Sequence, residues 1–355
     1  MTKLTISEIA RLAGVSQATT SRVLNNNPKV NEDLRARVRK IIDENGYVPS
    51  AAARNLVNRR TDMIGLLIPH GNSATFNSAF YSTMISLIVQ HANEKDRLVA
   101  VTLLPDAVSE KKLYERVLHS QQFDGVILLA PDMDEPLLPL LIRDAIPFVM
   151  FGRHSYLKNI NWVDVDNRGA AYLLVSHLIR LGRRRIATIA GPERTAWGTD
   201  RLDGYKQALV ENGISVDPAL IFRVEDNFGQ RNGYECMKML LGVHTPPEAM
   251  FVASDLMALG AARAIHEANL RIPEDIALVC FDQFVADSFE LGLTTMLQPF
   301  NEMASTAVDL LISQIDNPGQ VPVQKVLPLQ LVVRESCGAA QSARKEIEDK
   351  LYSEK

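Results

Sequence analysis

No stretch of this sequence approaches the run of about 20 apolar residues that spans a bilayer. The opening segment, Met1–Thr5, leads straight into a polar amphipathic pattern rather than an apolar leader. No membrane partner is expected, and a cytoplasmic protein is. Cysteine is scarce: Cys236, Cys280 and Cys337 are odd in number, widely spaced and set in apolar segments. That argues against a disulfide framework and points to buried thiols in a reducing compartment. The seven histidines are scattered singly, without the spacing of metal ligands, so neither a metal nor another cofactor is expected. No phosphate loop is present, and no GxGxxG follows a strand-like run. No nucleophile stands beside a plausible base. Asp164 and Asp166 come nearest to a carboxylate pair, but on a strand they would share a face beside Asn167 and read as turn caps. The sequence therefore does not read as an enzyme.

What is present is a long chain with an uneven charge. At 355 residues it suggests two or three domains, and 46% hydrophobic content with a mean hydropathy near zero is that of a globular protein. The net charge of −4 alone argues against nucleic acid. Its distribution argues the opposite. Up to Arg60 there are eleven Lys and Arg against five Asp and Glu, a surplus of six, which leaves the remainder at −10. A small basic module on a larger acidic body is the footprint of a phosphate-binding headpiece.

The N-terminal module supplies the matching motif. Thr5-Ile6-Ser7-Glu8 is a capping box, and Ile6, Ile9, Ala10 and Ala13 follow at helical spacing. Gly14 ends the helix; Ser16 caps a second one, Gln17 to about Leu24. Asn31 caps a third, whose Leu34, Val38, Ile41 and Ile42 close a small core. Two short helices joined by a tight glycine turn form a helix-turn-helix, whose second helix enters the DNA major groove. Gln17, Ala18 and Arg22 are placed to meet base edges, while Thr19, Ser21 and Asn25 suit phosphate contact. In Tyr47–Leu56, Pro49 breaks the third helix and the alanine run is too short to be helical alone. Such a segment should fold only when docked, leaving Leu56 as a minor-groove wedge.

Thr5–Leu24 (TISEIARLAGVSQATTSRVL) and Tyr47–Gly65 (YVPSAAARNLVNRRTDMIG) together resemble the headpiece and hinge of the LacI/GalR family of transcriptional regulators. The resemblance implies that Gln17, Ala18 and Arg22 read the major groove and that Leu56 opens the central step of a palindromic operator. The wider DNA-binding set expected is Thr5, Ser16, Gln17, Ala18, Thr19, Ser21, Arg22, Asn25, Asn31, Ala53 and Leu56. Thr20 departs from the family, which usually has an inward valine there. Its hydroxyl calls for a partner, expected to be the carbonyl one turn back.

From Met63 short apolar runs alternate with amphipathic helices, the mark of parallel βαβ units. Strands are expected at Ile64–Pro69, Leu98–Leu103, Gly125–Leu129, Ile146–Phe151, Ile186–Ala190, Leu220–Val224, Ala249–Ala253 and Ile276–Phe281. Helices are expected at Tyr81–Asn93, Glu110–Ser120, Gly169–Leu181, Arg201–Asn212, Arg231–Leu241 and Leu256–Ala268, and the series restarts near Trp162. The expected fold is thus a small all-α helix-turn-helix headpiece plus an α/β body of two doubly wound parallel-sheet lobes. Ligands of such sheets bind at the carboxyl ends of the strands, here between the lobes.

The resemblance runs through this body as well, in Val163-Asp164-Val165-Asp166-Asn167, Arg201-Leu202-Asp203-Gly204-Tyr205 and Ser254-Asp255-Leu256-Met257-Ala258-Leu259-Gly260. It implies a periplasmic-binding-protein-like core in which Arg201, Asp282, Phe228 and Ser254 hold an effector. Arg153, Trp197, Phe76, Phe80 and Gln298 are further lining candidates. An Arg and an Asp can bracket vicinal hydroxyls, and an aromatic can stack on a sugar face. Cys280-Phe281-Asp282-Gln283 replaces the Gly-Phe-Asp-Asp common in the family, and Ser254 stands where many members carry Asn, so no sugar identity transfers. The domains expected are 1–49 (helix-turn-helix), 50–60 (hinge), 61–338 (effector core) and 339–355 (a charged tail, read as a surface helix). Lobe 1 would comprise about 61–161 and 299–327, and lobe 2 about 162–298 and 328–338. The function implied is that of a homodimeric repressor of carbohydrate-utilisation genes, switched by a sugar or sugar derivative. A regulator responding to a purine co-repressor or a partner protein is the alternative; a transporter's solute-binding protein is the more distant one.

Overall fold

A capping box opens the first helix, α1 (Ile6–Ala13). The Glu8 amide donates to the Thr5 hydroxyl at 3.3 Å, and the Thr5 amide donates to the Glu8 carboxylate at 2.6 Å. Gly14, at φ +64°, takes the left-handed conformation that ends the helix. Ser16 caps α2 (Gln17–Leu24), accepting from the Thr19 amide at 3.1 Å. Asn31 caps α3 (Glu32–Glu44), accepting from the Asp33 amide at 2.9 Å. Ala13, Val23, Val30 and Val38 form the buried centre, with Val15, Leu34, Ile41 and Ile42 packed against it. Thr20 is fully buried, and its hydroxyl donates to the Ser16 carbonyl at 3.3 Å, which supplies the partner its position demands.

The computed structural model describes residues 4–24, 26–47, 60–69, 78–104, 112–114, 118, 122–154, 156–225, 229–285 and 292–340. The chain divides into two compact units, Met1–Thr61 and Asp62–Lys355. Asn25, Ala53, Leu56, Phe76 and Phe228, most of the helix expected at Glu110–Ser120, and nearly all of the tail lie outside the described residues.

The larger unit holds two six-stranded sheets. The first has the order β11-β5-β4-β3-β1-β2, with β1 (Met63–Pro69), β2 (Leu98–Leu104), β3 (Gly125–Leu129), β4 (Phe148–Phe151), β5 (Asn161–Val165) and β11 (Gln324–Leu327), all parallel. Helices α4 (Ala79–Glu94), α5 (Leu137–Arg143) and α10 (Phe300–Asp316) belong to this lobe. The second sheet runs β12-β10-β9-β8-β6-β7, from β6 (Ile186–Ala190), β7 (Ile221–Arg223), β8 (Ala249–Val252), β9 (Ala277–Phe281), β10 (Thr294–Leu297) and β12 (Gln330–Val332). Only β12 is antiparallel to its neighbour there. Helices α6 (Asn167–Arg180), α7 (Ala196–Glu211), α8 (Gln230–Leu241) and α9 (Asp255–Glu267) cover it. The central strands β3, β4, β6, β8 and β9 are buried along their whole length, as strands covered on both faces must be.

The structure differs from the expectation in three respects. The series does not restart at Trp162: β5 pairs with β4 and β11, so it is a strand of the first sheet, and the second lobe begins at α6. The chain crosses between lobes there, again from β10 to α10, and again from β11 to β12. Helix α7 begins at Ala196 rather than Arg201, because the Thr195 hydroxyl caps it by accepting from the Gly198 amide at 3.2 Å. Helices α5 and α10 and strands β10–β12 complete the two layers and were not among the elements expected.

Candidate functional site

On α2, Thr20 and Val23 turn inward and are buried, while Gln17, Ala18 and Arg22 are exposed on the opposite side, with Thr19 and Ser21 half-buried beside them. Gln17 and Arg22 therefore meet solvent for a structural reason: the inward positions of this short helix are fixed by the core. Thr5, Ser16 and Asn31 are exposed at helix N-termini, where their side chains serve as caps. Any contact they make with phosphate would add to that role.

In the larger unit the parallel strands deliver polar residues to their carboxyl ends, and three contacts show that these ends face each other. Arg153, two residues beyond β4, donates its Nε to Asp200 Oδ2 on α7 at 2.6 Å and a terminal nitrogen to Oδ1. Arg194, after β6, pairs through Nε with Asp132 Oδ2, after β3, at 3.0 Å, and its carbonyl accepts from the Met133 amide at 2.8 Å. Phe284, after β9, stacks on Phe300 of α10 with ring centroids 5.0 Å apart, and Phe80 meets Phe300 edge-on at 5.9 Å. The carboxyl ends of the two sheets thus meet at the lobe junction, and it is outside the carboxyl ends, in a crevice at the reversal of strand order, that ligands of doubly wound sheets bind.

Arg201, on α7 next to Asp200, lies on the second lobe's side of this junction. It is 6% exposed. Its Nε donates to Asn167 Oδ1 at 2.9 Å, and Nη1 donates to the Ala253 carbonyl at 2.6 Å and lies 3.8 Å from Asp282 Oδ2. The guanidinium carbon sits 3.4 Å from the Phe281 ring centroid and 4.8 Å from that of Trp197. Asp282, at φ +76°, accepts from the Gln298 side-chain amide; Gln283 clamps both backbone groups of Gln298, at 2.8 and 3.1 Å. Ser254 caps α9. Beside it Asp255 accepts from the Leu256 and Val285 amides, both at 2.8 Å, tying down the loop that carries Asp282 and Phe284. Asp164 accepts from the Arg153 and Val165 amides and from the Asn167 side chain, at 2.9, 2.7 and 3.0 Å, and Asp166 caps α6.

Burial pushes the Asp164 carboxyl up to about 6, against the two amides that favour its charge. Burial, and then the neighbouring Asp282 charge, pushes Asp255 up to about 7. Burial also raises Asp282, while Arg201 and the Gln298 amide pull it back. Each of these carboxyls is held by backbone amides, side-chain amides or a guanidinium. Among the described residues no group of three or more His, Cys, Asp or Glu side chains is arranged to hold a metal ion. The three cysteines are buried free thiols.

The structure thus gathers Arg153, Trp197, Arg201, Ser254, Asp282 and Gln298 around the lobe junction, where Phe80 also packs. Sequence reasoning did not single out Asp200, Asp132, Arg194 or Phe284, and it named Gln283 only as a departure from the family and Asp255 only within a motif. The one local signal was an acid directly before Arg201; the partner that gives Asp200 its role is 47 residues away in the other lobe.

Residues 5–50 match the family model of the bacterial regulatory proteins of the lacI family, and residues 175–337 match that of the periplasmic binding protein-like domain. The HTH-type transcriptional regulator CelR of Thermobifida fusca is 36% identical over 335 residues, which cover 94% of this chain and 98% of CelR. A solved CelR–cellobiose complex superposes with a TM-score of 0.74 at 34% identity, over 94% of this chain and all of that one. The lac repressor dimer bound to operator and the anti-inducer ONPF superposes with a TM-score of 0.82 at 28% identity, over 95% and 100% of the two chains. Among the described residues no helix is long and apolar enough to cross a membrane.

Proposed function

Because this chain belongs to the LacI family, whose members are transcriptional regulators and not enzymes, we propose that it is a repressor of carbohydrate-utilisation genes. It acts in the cytoplasm as a homodimer whose two headpieces read the halves of a palindromic operator. Gln17, Ala18 and Arg22 meet base edges; Thr5, Ser16, Thr19, Ser21, Asn25 and Asn31 meet the backbone; Ala53 and Leu56 contact the minor groove. A sugar-like effector enters the crevice between the lobes, against Arg153, Trp197, Arg201, Ser254, Asp282 and Gln298, with Phe76 and Phe228 as stacking partners, and changes operator affinity. The observation that carries this reading is the opposition of strand carboxyl ends, joined by Arg153–Asp200 and Asp132–Arg194. The binding of cellobiose by the CelR complex supports the ligand class.

The test starts from a pool of randomised duplex DNA. The full-length protein should enrich a palindromic sequence, and a neutral mono- or disaccharide should shift its affinity for that sequence in a mobility-shift titration. Enrichment of no sequence would overturn the DNA-reading role. A selected operator indifferent to every sugar, but sensitive to a nucleobase or a protein, would overturn the effector class.

A further inference from the structure

Each guanidinium at the mouth of the crevice is already matched by a carboxylate. Arg153 is engaged by both oxygens of Asp200, which is itself nearly buried. Arg201 faces Asp282, with Asp164 and Asp255 also acting on it electrostatically. Arg194 pairs with Asp132 at 3.0 Å and lies 3.9 Å from Glu225, which also faces Arg223. Even with Asp164 and Asp255 both protonated, Asp200 and Asp282 balance Arg153 and Arg201.

From this pairing we infer that the crevice takes an uncharged polyhydroxylated ligand, and that Asp200 excludes anionic ones by holding Arg153. The inference rests on the effector-site reading above and narrows it. Among the described residues, each guanidinium that a phosphate ester or carboxylate would meet here, Arg153, Arg194 or Arg201, is already paired, and the anion approaches Asp200 and Asp282 at the cost of its own hydration. A neutral hydroxyl meets carboxylate acceptors and guanidinium donors that are already oriented, and it can share them without separating the charges. Asp200 is in this sense a specificity-determining and positioning residue: it turns the Arg153 guanidinium toward the other lobe and cancels its charge.

The experiment measures binding to the full-length protein by calorimetry for matched pairs, glucose with glucose 6-phosphate and cellobiose with its phosphate ester, alongside sulfate and pyrophosphate. The neutral member of a pair should bind at least about tenfold more tightly than the phosphorylated one, and neither inorganic anion should bind. Asp200→Asn should narrow or invert that ratio and gain affinity for pyrophosphate, because Arg153 then loses its bidentate partner and keeps only the more distant Asp164 and Asp166 charges. Preference of the wild-type protein for a phosphorylated member, or for pyrophosphate, would overturn the charge argument and leave the sugar reading standing. Failure of every neutral sugar, with no anion bound either, would overturn the sugar reading and with it the polyhydroxylated class. The wild-type comparison needs no variant, so it decides the charge preference even where Asp200→Asn does not fold, and Arg153→Gln, which removes the cation that Asp200 holds, should then leave pyrophosphate unbound.

Discussion

Replacing Arg201 with leucine separates a structural pin from a ligand contact. The guanidinium is 6% exposed, donates to Asn167 and to the Ala253 carbonyl, faces Asp282 at 3.8 Å and lies against the Phe281 ring. Leucine restores part of the apolar contact but leaves Asp282 buried with the Gln298 amide as its remaining side-chain donor. Breaking a buried ion pair from one side costs about 3–5 kcal/mol. At roughly 2–4 °C per kcal/mol for a unit of this size, the melting temperature should fall by on the order of 10 °C with no effector present. The pH dependence follows from the direction of the Asp282 shift. Burial raises that carboxyl and Arg201 opposes the rise, so the variant's Asp282 is raised further. An acid whose folded pKa is raised burdens the folded state above that pKa and is relieved as pH falls through it. The deficit of Arg201→Leu relative to wild type should therefore be greatest at pH 8 and shrink toward pH 5. Thermal unfolding followed by circular dichroism at both values measures it. Equal melting of variant and wild type at pH 8 would refute the assignment and leave Arg201 as a ligand contact alone.

The other expectations concern separate parts of the chain. Arg22→Ala, exposed on α2, should weaken a selected operator by about 1–3 kcal/mol in a mobility-shift titration while leaving the melting temperature unchanged; an equal loss on every DNA sequence would reassign the residue to phosphate. In Gly260→Ala the new Cβ would lie 1.9 Å from the Gln230 carbonyl oxygen, so α8 and α9 must part. A loss of about 1–3 kcal/mol or more is expected in urea titration, against little for Gly242→Ala, whose Cβ would meet nothing closer than 3.4 Å. Burial, with Arg180 adding, pushes His177 down to about 4 beside the Cys337 thiol. The unfolded state thus takes up a proton below the ordinary histidine value while the folded state does not. Stability should fall on acidification from about 6.5 toward 4, by up to about 1.4 kcal/mol per pH unit from this group. His177→Leu should remove that slope in urea titrations across the window, and an unchanged slope would show that His177 is not its source.

The elements read correctly from the sequence are those whose cause is local. The capping box at Thr5, the turn at Gly14, the caps at Ser16 and Asn31 and the strand at Gly125–Leu129 each follow from neighbouring residues. The start of α7 was misjudged because Gly198 reads as loop. It is glycine for another reason: a Cβ there would lie 2.2 Å from the Pro192 carbonyl oxygen. The lobe boundary was misplaced because nothing in Asn161–Val165 says which sheet will pair with it; that is decided by β4 and by β11, which lies far ahead in the chain. The crevice shows the same division. Arg201 and Asp282 stand out by motif, but that Arg201 is spent on Asn167 and Ala253, and that Arg153 rather than Arg201 is the solvent-facing guanidinium, depends on packing between distant segments.

The crossover from β5 to α6 carries a closed polar ring. The Arg153 amide meets Asp164, Asp164 meets Asn167, and Asn167 meets Arg201; Asp200, next to Arg201 in the chain, returns to the Arg153 side chain. Three of these links are backbone-tied or buried and sit beside the crossover itself. The fourth spans the lobes and is partly in water, the Arg153 side chain being 44% exposed. Rotation of one lobe on the other would therefore load Arg153–Asp200 and Asp132–Arg194 first and leave the inner links in place. Half-solvated ion pairs contribute about 1 kcal/mol or less each, so these two hold the lobe angle only softly beside the Phe284–Phe300 stack and the Met133–Arg194 backbone hydrogen bond. A ligand that prefers one angle by a few hydrogen bonds can outweigh them, and reciprocity requires the lobe angle to change ligand affinity by the same factor. A neutral ligand is sufficient for such a switch, because what shifts the lobe angle is a difference in affinity between its two states and not a charge.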